Sequence, residues 1–399
     1  MTLTPYRQVL AVPGLARILL VATLARIPAT AGGLVLTLHV VGALDRGYGA
    51  AGVVTAAWTV GVALGGPWRG RAVDRFGVRA ALLPSIVVEL AFWSAAPWLP
   101  YGVLLPGAVL VGLFSLPVSG LTRQTIGVLV PEPLRRTAFA LDSIALEVSF
   151  MAGPVTAVLV VTQFSSTAGL IAMGVSQAVA GLALVLLNPP IRSESSAEVC
   201  GVAARGWFTP RFVAVLLLMT ASGVALVGTD VATVAALRSA GHTELIGLVL
   251  AAWGIGSVVG GVVYGALART LSSATLVVGL AIVTMPLGLV QSWWVLAIAL
   301  VPVGALCAPS VSATVADVSR LVPEARRGEA LGWHSTAGTF GVAIGAPLTG
   351  FAIDHLGPGW GFATAGAAGL VLALVAPLLA RVAGSPRPVT HEEVASSKV

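Results

Sequence analysis

Gly70-Arg71-Ala72-Val73-Asp74-Arg75-Phe76-Gly77-Val78-Arg79-Ala80 is the stretch whose reading decides the fold. It is polar, charged and glycine-bearing, and it lies between two apolar runs, Ala50–Trp68 and Ala80–Trp98. The rest of the chain is almost wholly apolar. Of 399 residues, 57% are hydrophobic and only 10% are charged, whereas a soluble domain carries about a quarter charged residues. The mean hydropathy is +0.97. A chain this apolar takes lipid as its solvent, where only helices and closed barrels satisfy every backbone group. The apolar runs are continuous over about 20 residues, as spanning helices require, and lack the roughly 10-residue alternation of barrel strands.

Working outward, the hydropathy pattern predicts twelve spans: Ala16–Val41, Ala50–Trp68, Ala80–Trp98, Tyr101–Leu129, Thr137–Val161, Thr167–Leu187, Phe212–Leu237, Glu244–Leu267, Ala274–Gln291, Trp293–Asp317, Gly328–Ile353 and Gly361–Val382. Ala29-Thr30-Ala31 has the look of a signal-peptide cleavage site, but the apolar run around it contains Arg26 and continues to Val41, so it reads as a span. With both ends of the chain on one side, that side collects nearly all the arginines, and the other holds only Arg46 and Arg238. The positive-inside rule therefore places both termini in the cytoplasm. The pI near 10.1 follows from this topology and gives no ground for nucleic-acid binding. The excess of Arg over Lys, with abundant Ala, Gly and Val, suggests a GC-rich genome. The expected location is a bacterial cytoplasmic membrane, crossed many times. Cys200 and Cys307 have no metal or redox spacing and read as unpaired thiols.

The second and eighth spans are copies. At an offset of 195 residues, Gly52, Ala56, Ala57, Trp58, Gly61, Gly65, Gly66 and Gly70 align with Gly247, Ala251, Ala252, Trp253, Gly256, Gly260, Gly261 and Gly265. At slightly smaller offsets Pro117 aligns with Pro309, and Val130-Pro131-Glu132 with Val322-Pro323-Glu324. The chain is thus a parallel repeat of two halves. The reading divides it into a six-helix bundle over 1–187, a cytoplasmic linker over 188–210, a second bundle over 211–384 and a cytoplasmic tail over 385–399.

The opening stretch resembles the signature loop G-x-L-x-D-R-x-G-R-[KR] of the major facilitator superfamily. Gly70, Asp74, Arg75, Gly77 and Arg79 match it; Ala72 and Val78 depart from it. In the second half Arg269 and Thr270 replace the Asp and Arg. Together with the repeat, the resemblance implies an all-α integral membrane protein of twelve helices in two pseudo-symmetric bundles, working as a monomer by alternating access. It implies that spans 1, 4, 7 and 10 line a central cavity, that spans 2, 5, 8 and 11 form the bundle interface, and that the others lie outside. It makes Gly70, Asp74, Arg75, Gly77 and Arg79 an inner gate, with Asp74 contacting the other bundle. From the residues alone, Asp74 is also suited to the positive N-terminal end of the third helix. Ser149 to Ala157 resembles the drug–proton antiporter motif of the family at Gly153 and Pro154. Small residues there, and Gly341, Gly345 and Pro347 in the eleventh span, permit close helix packing.

Charges inside a membrane are costly and mark pathways, proton relays or pairs. Arg26, Glu147 and Glu89 each lie ten residues into a span, about 15 Å deep, which suggests one buried cluster. Arg keeps its charge, so a carboxylate would carry the proton. Glu147, Glu89 and Asp230 all remain open for that role, and a static ion pair between the first and fifth spans is the alternative for Arg26 and Glu147. Arg123, Asp142 and Asp317 are expected in an inner loop network. Trp58 and Trp253, at equivalent positions, are expected to line an apolar cavity or to pack within a bundle. His39 and His334 are isolated and read as packing residues.

There is no nucleotide-binding loop for ATP, no nucleophile–base constellation and no metal spacing. The expected energy source is a proton gradient, without a cofactor, and the expected partners are the bilayer, protons and a small organic substrate. The reading is a non-enzymatic transporter that exports small hydrophobic compounds in exchange for protons. A proton-linked importer of a sugar or similar metabolite, and a non-transporting scaffold or sensor, are the alternatives. The scarcity of amides within the spans, chiefly Gln124 and Gln177, favours the apolar substrate.

Overall fold

The computed structural model describes residues 4–192, 207–267 and 271–382. Cys200, Arg269, Thr270, most of the 188–210 linker and the 385–399 tail lie outside the described residues. The helices run in chain order as α1 (Thr4–Leu10), α2 (Leu15–Gly42), α3 (Tyr48–Ala95), α4 (Tyr101–Phe114), α5 (Val118–Leu129), α6 (Glu132–Gln163), α7 (Ser166–Leu187), α8 (Pro210–Ser239), α9 (Ile246–Ala266), α10 (Ser273–Thr284), α11 (Trp293–Leu321), α12 (Arg327–Leu356) and α13 (Pro358–Val382). Ten stretches among the described residues are long and apolar enough to cross a membrane, and the shorter Ser273–Leu289 is apolar as well.

One of the ten, Ala50–Trp98, has 49 residues. At about 1.5 Å per residue it would be more than twice as long as the ~30 Å hydrocarbon core. It does not run straight. Gly77 has φ 80° and ψ 173°, a conformation open to glycine and costly for other residues. Beyond it the chain runs back along itself, because Trp58 and Trp93 meet edge to face at 6.3 Å. The segment expected to be a loop is therefore helical except at one glycine. Two limbs of α3 stand where the second and third spans were expected.

The fourth span is broken rather than continuous. Ser115 and Leu116 leave the helix and Pro117 opens α5. Proline donates no N–H and disfavours helical geometry in the residue before it. The backbone groups freed by this break are satisfied by buried charges. Arg69 Nη1 donates to the carbonyls of Gly112 (2.6 Å) and Leu113 (3.0 Å). Glu89 Oε1 accepts from the N–H of Leu116 at 2.7 Å.

The buried apolar side chains form cores of two kinds. One pair of clusters draws on α2–α7 alone, and another on α8–α13 with the turns beside them. Two further clusters mix the halves, bringing Val9, Ile126 and Phe139 against Phe212, Val315 and Leu331, and Ala140 against Tyr264 and Ala313. Both mixed clusters lie toward the end of the molecule that carries Gly70–Ala80, the loop face.

Candidate functional site

The halves grip each other at the loop face. The Asp74 carboxylate lies at the first turn of α12, where Oδ1 accepts from the N–H of Gly328 (3.0 Å) and Oδ2 from that of Glu329 (2.9 Å). Gln124 Nε2 donates to Oδ1 at 2.7 Å. A helix N-terminus offers unpaired N–H groups and a positive dipole end to an anion. The helix that Asp74 serves is in the opposite half, so its placement at the start of the third helix is corrected. Burial pushes the Asp74 pKa up from 3.8 to about 6 in this connector, against the lowering effect of those hydrogen bonds. Arg71 pairs with the buried Glu329, which Arg326 also reaches at 3.2 Å.

Of the other signature residues, the two arginines do not cross between halves. Arg75 lies over the ring of Phe76, and Arg79 donates to the Val185 carbonyl. Gly70 is a contact point instead: a Cβ there would collide with the Gly328 carbonyl. Its repeat mate Gly265 accepts from Thr137 Oγ1 at 2.6 Å, and nearby Tyr6 of α1 places its hydroxyl 2.9 Å from the Val262 carbonyl. Ser143 and Ser312 meet at 2.8 Å, and Thr336 donates to the Ala63 carbonyl at 2.6 Å.

These bonds stop partway along the helices. The last of them toward the far face is Cys307 Sγ to Glu147 Oε1, at 3.1 Å. Farther on, Gly247 on α9 lines the cavity and faces open space. A cavity of about 1190 Å³ occupies the gap between the halves. It is lined by residues of α2, α5, α6, α8, α9, α11, α12, the first limb of α3 and the α4–α5 break. The second limb of α3, α7, α10 and α13 contribute no lining residue among those described. The structure is therefore closed at the loop face, and among the described residues no hydrogen bond joins the halves nearer the far face.

The buried charges do not form the single cluster expected from depth. Arg26 pairs with Asp142 at 2.6 Å, and Arg123 Nε holds the other oxygen of the same carboxylate at 3.1 Å. Asp142 and Arg123 thus belong to a buried triad rather than to the loop network, and Glu147 is no partner of Arg26. Glu89 belongs to the helix break, where Arg69 is its nearby charge. Glu147 and Asp230 both line the cavity, and Asp230 lies near enough to feel the charge of Glu147. Asp317 stays near the loop face, accepting from Ser273 at 2.6 Å beside Arg320.

Trp58 and Trp253 both line the cavity. Gly153 lies where a Cβ would strike Thr30 of α2, and Gly341 and Gly345 press on Thr220 and Val224 of α8. Pro154 and Pro347 sit within α6 and α12. His39 meets Ser166 at 3.1 Å in the first half, whereas His334 lines the cavity. Sequence reasoning gave no role to Arg69, Arg71, Ser143 or Ser312. Pro117 was a visible signal for the break that Arg69 serves; the two serines carried none.

Residues 212–398 match the family model of the Major Facilitator Superfamily. No curated protein matches the sequence. Among solved structures, a bacterial homologue of the iron transporter ferroportin in an outward-facing state is similar at a TM-score of 0.70 and 16% identity, over 92% of this chain and 99% of that one. The proton:xylose symporter XylE, bound to 6-bromo-6-deoxy-D-glucose, is similar at 0.67 and 17%, over 90% and 94%. The human organic anion transporter MFSD10 is similar at 0.67 and 15%, over 91% and 100%. At such identities the likeness shows the fold. The chain has the fold of major facilitator transporters, and its second half matches the family's model.

Proposed function

We propose that this protein is a secondary active transporter that exports small, largely apolar organic compounds in exchange for protons, through twelve spans with both termini cytoplasmic. The twelve count the limbs of α3 separately, join α4 to α5 and include Ser273–Leu289. The observation that carries the reading is the cavity itself, closed at the loop face by bonds between the halves and lined by two carboxylates, Glu147 and Asp230; we read its open side as the far face. Alternating access requires the halves to rock, and rocking must break the bonds that cross between them. Glu147 makes such a bond, with Cys307, and its charge depends on a proton. Proton transfer at Glu147 is thereby tied to the rocking step. The positive-inside pattern makes the loop face cytoplasmic, so the structure corresponds to an outward-open state.

The similar folds include a sugar symporter, an iron transporter homologue and an organic anion transporter; transport is common to them and substrate is not. Sugar import is disfavoured by the lining. Gln124 is its one amide, and its Nε2 is committed to Asp74. Gln177 does not line the cavity. In proteoliposomes, apolar substrates should drive proton movement that Glu147→Gln abolishes. Efflux that survives collapse of the proton gradient would refute the coupling.

A further inference from the structure

We propose that the cavity floor carries a subsite for the anionic head of an organic acid, formed by Arg123 and Arg26 with His334 beside them. The proposal rests on the reading of the cavity as the substrate site, and it narrows the substrate from an apolar compound to an amphiphilic acid.

The first observation is a charge imbalance. Arg26 and Arg123 share one carboxylate, Asp142. All three are nearly or wholly buried, and both arginines line the cavity. Guanidinium does not lose its proton in proteins, so the triad keeps one positive charge in surplus. Asp142 and Arg26 are the charges beside Arg123, and Glu147 is the one beside Asp230, so no second carboxylate pairs directly with the triad among the described residues. An uncompensated charge at membrane depth is expensive, and an anion entering from the open face relieves it.

The second observation is a set of unused hydrogen-bonding groups. Arg123 spends Nε on Asp142, leaving its terminal nitrogens for a planar anion such as a carboxylate. Arg26 Nε is buried without a partner. His334 is fully buried, near enough to feel the charge of Arg123. Its Nε2 lies 2.9 Å from Thr314 Oγ1. That hydroxyl is also within reach of the Val311 carbonyl at 2.9 Å; when its proton lies there, Nε2 is the donor and Nδ1 presents a lone pair. Nδ1 has no partner. It accepts an O–H or N–H from the ligand. The ligand is then an organic acid with a second, donating polar group and an apolar body that lies between Trp58 and Trp253.

Calorimetric titration of the purified full chain, in detergent at neutral pH, tests this with 6-hydroxy-2-naphthoate, 2-naphthoate, 2-naphthol, inorganic phosphate and chloride. The naphthoates should bind at least about tenfold tighter than 2-naphthol, the scale of one charge-assisted bond. Arg123→Gln should remove that preference. This variant leaves Arg26 and Asp142 as a balanced pair, so it should fold, and its thermal unfolding checks that it does. His334→Phe, which does not touch the triad, should weaken 6-hydroxy-2-naphthoate to the level of 2-naphthoate. The proposal is overturned if 2-naphthol binds as tightly as the acids, if no naphthalene compound binds, or if acid preference survives Arg123→Gln. It is also overturned if phosphate or chloride binds as tightly as naphthoate, which would make the site a counter-ion pocket. Binding is read without a proton gradient, so the subsite can fail while coupling through Glu147 stands, and the reverse.

Discussion

Asp74→Ala should open the loop face. Three donors depend on the Asp74 carboxylate: the N–H groups of Gly328 and Glu329, at 3.0 and 2.9 Å, and Gln124 Nε2, at 2.7 Å. Alanine orphans all three in the closed state, at about 2 kcal/mol each, or about 6 kcal/mol together. Opening lets water satisfy them. Against this, alanine no longer buries a charge. The Asp74 pKa rises from 3.8 to about 6 on burial, which corresponds to about 3 kcal/mol of disfavoured ionisation. The balance is about 3 kcal/mol against closure, or roughly a hundredfold in the closed-to-open ratio.

The assay is the distance between spin labels at Arg75→Cys and Arg320→Cys, both exposed on the loop face, in a chain with Cys200 and Cys307 replaced by serine. The parent should give one short distance and Asp74→Ala a second, longer one. The same pair reads pH. The closed state holds the Asp74 proton more tightly than the open state does. Closure is therefore strongest below about pH 4 and weakens as pH rises through about 6, and Asp74→Asn removes the dependence. An unchanged distance distribution in folded Asp74→Ala would refute the claim that this carboxylate holds the face shut.

Gly70→Ala should shift the same label distances toward the open state without altering Asp74, because its Cβ meets the backbone carbonyl of Gly328, which has no side-chain freedom to yield. Asp142→Asn should lower thermal stability by about 3–5 kcal/mol, the cost of breaking a buried ionic set and leaving charge uncompensated; a melting temperature equal to the parent's would show that the triad is solvated.

The sequence made the membrane class, the repeat and the loop-face contact legible, and it did so through residues with one physical meaning. A glycine repeat at a fixed offset places Gly70 and Gly265 at matching close approaches, and Trp58 and Trp253 on one cavity. The charge partners were not legible. Counting residues along a span gives depth, but not the direction in which a side chain points. Asp142 and Glu147 are five residues apart on one helix, about 7.5 Å in height but about 140° in azimuth. The first faces α2 and the second faces α11. Arg26 therefore meets Asp142, although Glu147 matched its expected depth. Glu89 was misread for a related reason. Its partner is the backbone at Leu116, freed by the break before Pro117, and hydropathy alone carries that stretch straight through as one span.

In the proposed rocking of the halves, the buried charges separate into sets with different fates. Arg69 and Glu89 are bound to the break within the first half. Arg26, Arg123 and Asp142 are bound to one another, also within that half. A rigid-body motion leaves both sets intact, so neither can report or drive the change of state through its internal bonds. The bonds of Asp74 to α12 and of Glu147 to Cys307 cross between halves and must break. A ligand with no difference in free energy between two states shifts nothing. Coupling therefore has to act through groups whose surroundings differ between the states. Glu147 meets that condition inside the cavity and Asp74 meets it at the closed face. The surplus charge of the triad stays with the first half throughout, which suits it to holding a substrate's acid group while the second half moves.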